Sequence, residues 1–172
     1  LGIDLAMSNF YLRPLNDDDG ERVRRFLIER WGSARVVSRG KIYHADALPG
    51  FVAMQGDRIV GLATHRIGAN ECELVTLDSA REGIGIGSAL IEAVKNAARQ
   101  AGCTRLWLIT TNDNTPAIRF YQKRGFVMAA LHRNAIEASR RLKPSIPLTG
   151  LDGIPIRDEI ELETVLQYTI HE

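Results

Sequence analysis

Arg81-Glu82-Gly83-Ile84-Gly85-Ile86-Gly87-Ser88-Ala89-Leu90 decides the reading of the chain, because it joins a strand-like run, Glu73 to Leu77, to a helical one. Beyond it Ile86, Leu90, Ile91, Val94, Ala97, Ala98 and Ala101 recur at helical spacing. Glu92, Lys95, Asn96 and Arg99 take the opposite face, and Gly102 suits the end. A helix start leaves backbone N–H groups unpaired at the positive end of the dipole, so a glycine-rich approach lets several amides converge on a phosphate. Short GxG runs also serve as plain strand-to-helix turns. Two phosphate motifs fail on the residues: Gly87 is followed by Ser88-Ala89 with no Lys for a P-loop, and the spacing lacks the third glycine of a dinucleotide fingerprint. A third type, in which amides cradle a pyrophosphate, fits Gly85-x-Gly87 followed by Ser88-Ala89-Leu90.

Outward from that loop, strand and helix signals alternate. Phe10, Tyr11 and Leu12 before Arg13-Pro14 form a short first strand, and Val23, Phe26, Leu27 and Ile28 share a helix face opened by Asp17 to Asp19. Gly32 to Pro49 reads as irregular. Phe51 to Met54 and Ile59 to Thr64 make a hairpin across Gln55-Gly56-Asp57. Leu106 to Ile109 is almost continuously apolar, as expected of a central strand covered on both faces. Asn114 or Thr115 caps a helix with Pro116 in its first turn, Gly125 stops it, and Phe126 to Leu131 is another strand. Asn134 to Leu142 reads as a helix, Pro144 to Pro155 as a loop, and Glu159 to Leu162 as a terminal strand. The order predicts an α/β fold with a mixed sheet.

Composition narrows the function classes. The chain has 172 residues, 22 Lys+Arg against 21 Asp+Glu, and 45% hydrophobic residues, which predicts one globular domain over residues 1–172. A net charge of +1 gives no footprint for nucleic acid or an anionic membrane, so neither is an expected partner. No window is apolar enough for a transmembrane helix. Leu1 to Met7 carries Asp4 and lacks a basic lead, so no signal peptide is expected; residues 1–8 read as a flexible N-terminus, with Met7 a candidate internal start. Cys72 and Cys103 stand apart, as reduced buried hydrophobes, which points to the cytoplasm. His65, His132 and His171 have no ligand-like spacing, and no metal is expected.

A second signature follows in Asn112-Asp113-Asn114-Thr115-Pro116-Ala117-Ile118-Arg119-Phe120-Tyr121-Gln122-Lys123-Arg124-Gly125-Phe126. Together the two motifs resemble the GNAT N-acetyltransferase superfamily: the glycine loop resembles its Gln/Arg-x-x-Gly-x-Gly/Ala motif, and Asn114 through Ala117 and Phe120-Tyr121 to Gly125-Phe126 resembles the motif after it. The likeness is strongest over residues 75–126, and Glu82 departs from it where the family has Gln or Arg. The resemblance implies a GNAT-like central sheet of six to seven strands with helices on both faces, and acetyl-CoA as cosubstrate. Amides of Gly83, Ile84, Gly85, Ile86, Gly87 and Ser88 would hold the pyrophosphate. Val75, Leu77, Asn114, Ala117 and Tyr121 would meet the acetyl-pantetheine arm, and a homodimer becomes an expectation.

Acetyl transfer from a thioester to an amine needs a neutral amine, a polarised carbonyl and a proton for the departing thiolate. Tyr121, aligned with the family's usual acid, would supply that proton, its reference pKa of ~10 keeping it protonated at neutral pH. Glu73 is the first candidate base, placed by strand periodicity on the face of Val75 and Leu77, with Glu71 second. The Leu77 amide would polarise the carbonyl. The acceptor, a small-molecule or peptide amine, is not written in either motif. Trp31, Arg35, Arg39, Tyr43 and His44 in the early stretch, and Arg133, Arg140, Arg141 and Lys143 later, are its candidate contacts, and converging Arg would favour a carboxylate or phosphate on it. The alternative is a module that binds acetyl-CoA as a regulatory ligand without turnover.

Overall fold

In the computed structural model the described residues, 9–167, form nine strands and four α-helices. The expected flexible N-terminus and His171 lie outside them. In chain order these are β1 (Tyr11–Pro14), α1 (Gly20–Trp31), β2 (Arg35–Ser38), β3 (Lys41–His44), β4 (Gly50–Gln55), β5 (Arg58–Ile67) and β6 (Glu71–Ser79). Then follow α2 (Ile86–Gln100), β7 (Arg105–Thr111), α3 (Thr115–Gln122), β8 (Val127–His132), α4 (Ala135–Leu142) and β9 (Glu159–Val165). Seven strands make one sheet in the order β1-β4-β5-β6-β7-β9-β8, antiparallel except for the parallel pair β6 and β7. The expected mixed sheet with helices on both faces is what forms.

Local chemistry sets the elements. Before α1, Asn16 and Asp19 cap one another across a single 3-10 turn, and the helix ends at Gly32 with φ +76°, a conformation that Gly adopts without a Cβ clash. On one sheet face Ala53, Ala63, Leu74, Leu106, Leu108 and Leu162 pack under α2 (Ile86, Leu90, Ile91, Val94, Ala98) together with Tyr121 of α3, Phe126, Cys72 and Cys103. On the other, Val52, Met54 and Leu62 pack under Val23, Phe26 and Leu27 of α1. Burial pushes the Cys72 thiol up to about 12, as for an inert core cysteine.

Two sequence expectations change. Gly32 to Pro49 is ordered: β2 and β3 form a separate two-stranded sheet closed by Arg39 (φ 49°) and Gly40 (φ 73°), the primed geometry that tight hairpins use. Four-residue strands and an Arg-Gly turn leave little periodic signal. β7 is also not the sheet's middle strand, a place held by β6. Leu106, Leu108 and Thr110 of β7 are buried, whereas Trp107, Ile109 and Thr111 are only partly so, because that side faces one cavity at Ile109 and Thr111 and another at Trp107.

The relation of β6 to β7 positions everything else. They pair only from Glu71 with Arg105 to Glu73 with Trp107, although β6 continues to Ser79 and β7 to Thr111. Beyond Glu73 they diverge into a wedge, and peptide groups of β6 that point towards β7 have no strand partner there. Within β6 the register against β5 slips, since Thr64 faces Thr76 but His65 faces Leu74, so Val75 is a bulged extra residue. The bulge overturns the expected common face of Glu73 and Leu77. Leu77 packs with Leu74 on the α2 side, while Glu73 turns to the hairpin side and meets Ser38.

Candidate active site

On the α2 side, the ends of β6, α2 and α3 enclose a cleft of about 620 Å³. Leu77, Gly83, Gly85, Ile86, Gly87, Ser88, Ala117 and Tyr121, all expected from the sequence, line it. Val75, Ile84 and Asn114 do not. Val75 is the bulge, Ile84 packs on the core, and Asn114 caps α3 by accepting the Ala117 N–H at 3.3 Å.

The loop has the form of a phosphate cradle. Gly83 and Gly85 take φ +79° and +86° in open space, so their requirement is conformational, whereas a Cβ on Gly87 would lie 2.8 Å from Phe120 Cζ, so there it is close packing. Among the described residues, the first amide here with a main-chain acceptor is that of Ala89, on the Gly85 oxygen at 3.0 Å, which leaves those before it for a ligand. The rim carries Arg30, Arg81, Arg119, Lys123 and Arg124 against Asp78 and Glu82, a positive balance that suits a polyanion. Arg124 ties α3 to the loop: its Nε donates to Ser88 Oγ at 2.9 Å and its guanidinium lies 3.4 Å from the Phe120 ring centroid. Sequence reasoning passed over Arg119, Lys123 and Arg124, though their spacing around Tyr121 was a signal in plain view.

Tyr121 is 8% exposed, with its ring edge-on to Phe120 and Phe126 at 5.3 and 5.4 Å. Burial pushes its phenol well above the usual tyrosine value, Arg124 opposing and Asp78 assisting, so it stays protonated at neutral pH.

Across the sheet, Glu73 is 2% exposed. Its Oε1 accepts the Ser38 hydroxyl at 2.5 Å, while Oε2 has no hydrogen-bond partner and stands 3.9 Å from Arg66 Nε. Burial raises its carboxyl above the ordinary glutamate range, against the opposing pull of Ser38, Arg66 and Tyr43. Glu71 is instead a half-exposed partner of Arg105 at 3.1 Å.

A second cavity, about 220 Å³, opens on this hairpin side. Ile109, Thr110 and Thr111 of β7 form one lip, and Trp31, Arg35, Val36, Val37, Ile136, Lys143 and Glu159 complete much of its wall. Trp31 and Arg35 therefore fall where a second substrate would be expected, but Tyr43 does not, since it lies under Arg66 at 5.5 Å beside Glu73. The cationic cluster expected to converge on an anionic acceptor is spent elsewhere. Arg140 donates to the Pro147 and Ile156 oxygens and fastens the loop after α4, Arg141 pairs with Glu137, and Lys143 donates to the Arg35 oxygen at 2.9 Å. That loop is also held by Asp113, whose Oδ2 accepts the Leu151 N–H at 3.1 Å, and so it walls the cavity.

The family model described as Acetyltransferase (GNAT) family matches residues 11–126, and the chain belongs to that family. It is 43% identical over 154 residues to uncharacterized protein YdhI of Bacillus subtilis, across 89% of this chain and 96% of that one. Among solved structures, an IAA acetyltransferase from Bacillus cereus shares the fold at TM-score 0.71 and 21% identity, covering 92% of this chain and all of that one (100%). A GNAT family acetyltransferase from Elizabethkingia anophelis with acetyl-CoA bound aligns at TM-score 0.64 and 19% identity, over 92% and 99% of the two chains.

Proposed function

We propose that this member of the GNAT family moves an acetyl group from acetyl-CoA to the amine of a small molecule or peptide by direct transfer. One observation carries the reading: β6 and β7 part beyond Glu73, and each of the two diverging strands edges a cavity, Leu77, Asp78 and Ser79 of β6 on the α2 side and Ile109, Thr110 and Thr111 of β7 on the hairpin side. Donor and acceptor can enter from opposite sides and react in the gap.

The residues fit the cosubstrate. Unpaired amides ahead of Ala89 and the basic rim suit its pyrophosphate, and unpartnered peptide groups of β6 suit the pantetheine arm. Bound acetyl-CoA supplies an acetyl carbonyl activated as a thioester. The Leu77 amide, at the wedge's edge, polarises that carbonyl oxygen. Glu73 takes the proton of the incoming ammonium through water, since it is outside the lining of the acceptor cavity and is joined to it through Ser38, the neighbour of the wall residue Val37. As the C–N bond forms and the C–S bond breaks, Tyr121 gives its phenolic proton to the departing sulfur, and the extra proton on the new amide nitrogen leaves through water to restore the phenol.

Calorimetric titration with acetyl-CoA, CoA and ATP, followed by an amine screen, tests this. Binding of acetyl-CoA and CoA but not ATP, with acetylated product, is expected. Binding without product from any amine would favour a regulatory acetyl-CoA module, and no binding would reduce the loop to a turn.

A further inference from the structure

The hairpin-side cavity also carries information on what the acceptor looks like, given the acetyl-transfer reading above. Glu159, Glu161 and Glu163 of β9 pair with Thr111, Ile109 and Trp107 of β7 and share their face of the sheet. Glu161 and Glu163 are neutralised at close range by the one guanidinium of Arg105, and His132 also reaches Glu161 at 3.1 Å. Glu159 is served differently. It is 1% exposed and sits in the cavity lining, and its partners are Ser139 Oγ at 3.3 Å and Arg39 Nη1 at 3.5 Å, both at the far limit of hydrogen bonding. A buried carboxylate is normally met by charge-assisted donors at about 2.7–2.9 Å.

Among the described residues neither cation of the lining pairs with Glu159: Lys143 is directed at the Arg35 oxygen and Arg35 makes no ion pair with it, while Arg39, outside the lining, is 41% exposed on the hairpin turn. Glu73, on the same sheet face, adds negative potential from the other side of the hairpin tip. Much of the wall around Glu159 is apolar, with Val36, Val37, Ile109, Ile136, Ile146 and Ile156 beside Trp31, and Thr110, Thr111 and Ser139 add neutral polar groups to the cations Arg35 and Lys143. Such a pocket takes an apolar body and rewards a positive charge at its base.

We propose that Glu159 determines acceptor specificity by receiving a second cationic group of the substrate. The acceptor class is then an amine whose hydrocarbon body carries a further positive centre, and not an amine that carries a carboxylate.

The test compares three acceptors of equal chain length with acetyl-CoA: an n-alkylamine, the α,ω-diamine and the ω-amino acid. The diamine is expected to lead the monoamine in kcat/KM by about tenfold, with the amino acid last, and to bind measurably by calorimetry. Glu159→Gln should raise KM for the diamine and erase that lead while leaving kcat and acetyl-CoA affinity unchanged. Arg39→Gln, which removes the distant competing guanidinium, should enlarge the lead, and it decides the matter alone if Glu159→Gln does not fold. A lead that survives Glu159→Gln, one that Arg39→Gln does not enlarge, or a preference for the amino acid overturns the proposal. Equal transfer to all three acceptors overturns it and leaves the acetyl-transfer reading standing, whereas failure to bind acetyl-CoA removes both.

Discussion

Trp31 donates its indole N–H to Asp78 Oδ2 at 2.6 Å, while the neighbouring Arg30 grips the same carboxylate through Nε and Nη2 at 2.8 and 2.9 Å. The last turn of α1 is thereby fastened to the residue that follows Leu77. Arg30 lines the α2-side cleft and Trp31 the hairpin-side cavity, so one carboxylate positions a wall of each. Asp78→Ala should raise KM for acetyl-CoA and for the acceptor together, with a stability loss of about 1–2 kcal/mol in urea titration. An effect on one KM alone would show that the two walls are independent.

Tyr121→Phe keeps the ring in its box of Phe120 and Phe126 and removes only the phenolic proton. The turnover number should fall by about 10²-fold with acetyl-CoA affinity nearly unchanged, the pattern of an interaction made in the transition state. Turnover at the parent rate would return Tyr121 to a core role.

The two loop glycines should fail for different reasons. Gly87→Ala drives a methyl against Phe120, whose ring is also held by Arg124, and should cost about 1–3 kcal/mol of stability. Gly85→Asp forces a side chain onto φ +86° and puts negative charge at the cradle, so acetyl-CoA affinity measured by calorimetry should drop more than thermal stability does. Equal affinity for parent and Gly85→Asp would exclude phosphate binding at this loop.

Periodicity and turn chemistry carried most of the fold, since α2 and α3 bury a regular apolar pattern against one core and the β4–β5 hairpin contributes a face to each of the two cores. The glycine loop was legible for the same reason: positive φ and close packing permit few residue types. What was not legible depends on register. A single extra residue at Val75 reverses the facing of everything after it, and strict alternation therefore put Glu73 beside Leu77 when the sheet separates them. The roles of Arg140 and Lys143 were equally hidden, because a charge in sequence does not say whether a backbone oxygen will claim it.

That reversal makes Glu73 a test of function against stability. Its carboxyl is held above the ordinary glutamate range by burial, so at pH values between the unfolded and folded values the native state binds a proton that the unfolded chain has lost. Stability therefore falls as pH rises through this window, and the full cost is present once the folded group has ionised. Glu73→Gln keeps a group able to accept the Ser38 hydroxyl and carries no charge. It should melt at a higher temperature than the parent near about pH 8 and match it near about pH 4. Activity should move the opposite way: the parent's kcat rises through the same window as the base ionises, and in Glu73→Gln that rising limb is lost. A variant that melts lower than the parent near about pH 8 would mean that the Ser38 bond and the electrostatic pull of Arg66 and Tyr43 outweigh burial. A variant with the parent's pH profile would move the base elsewhere.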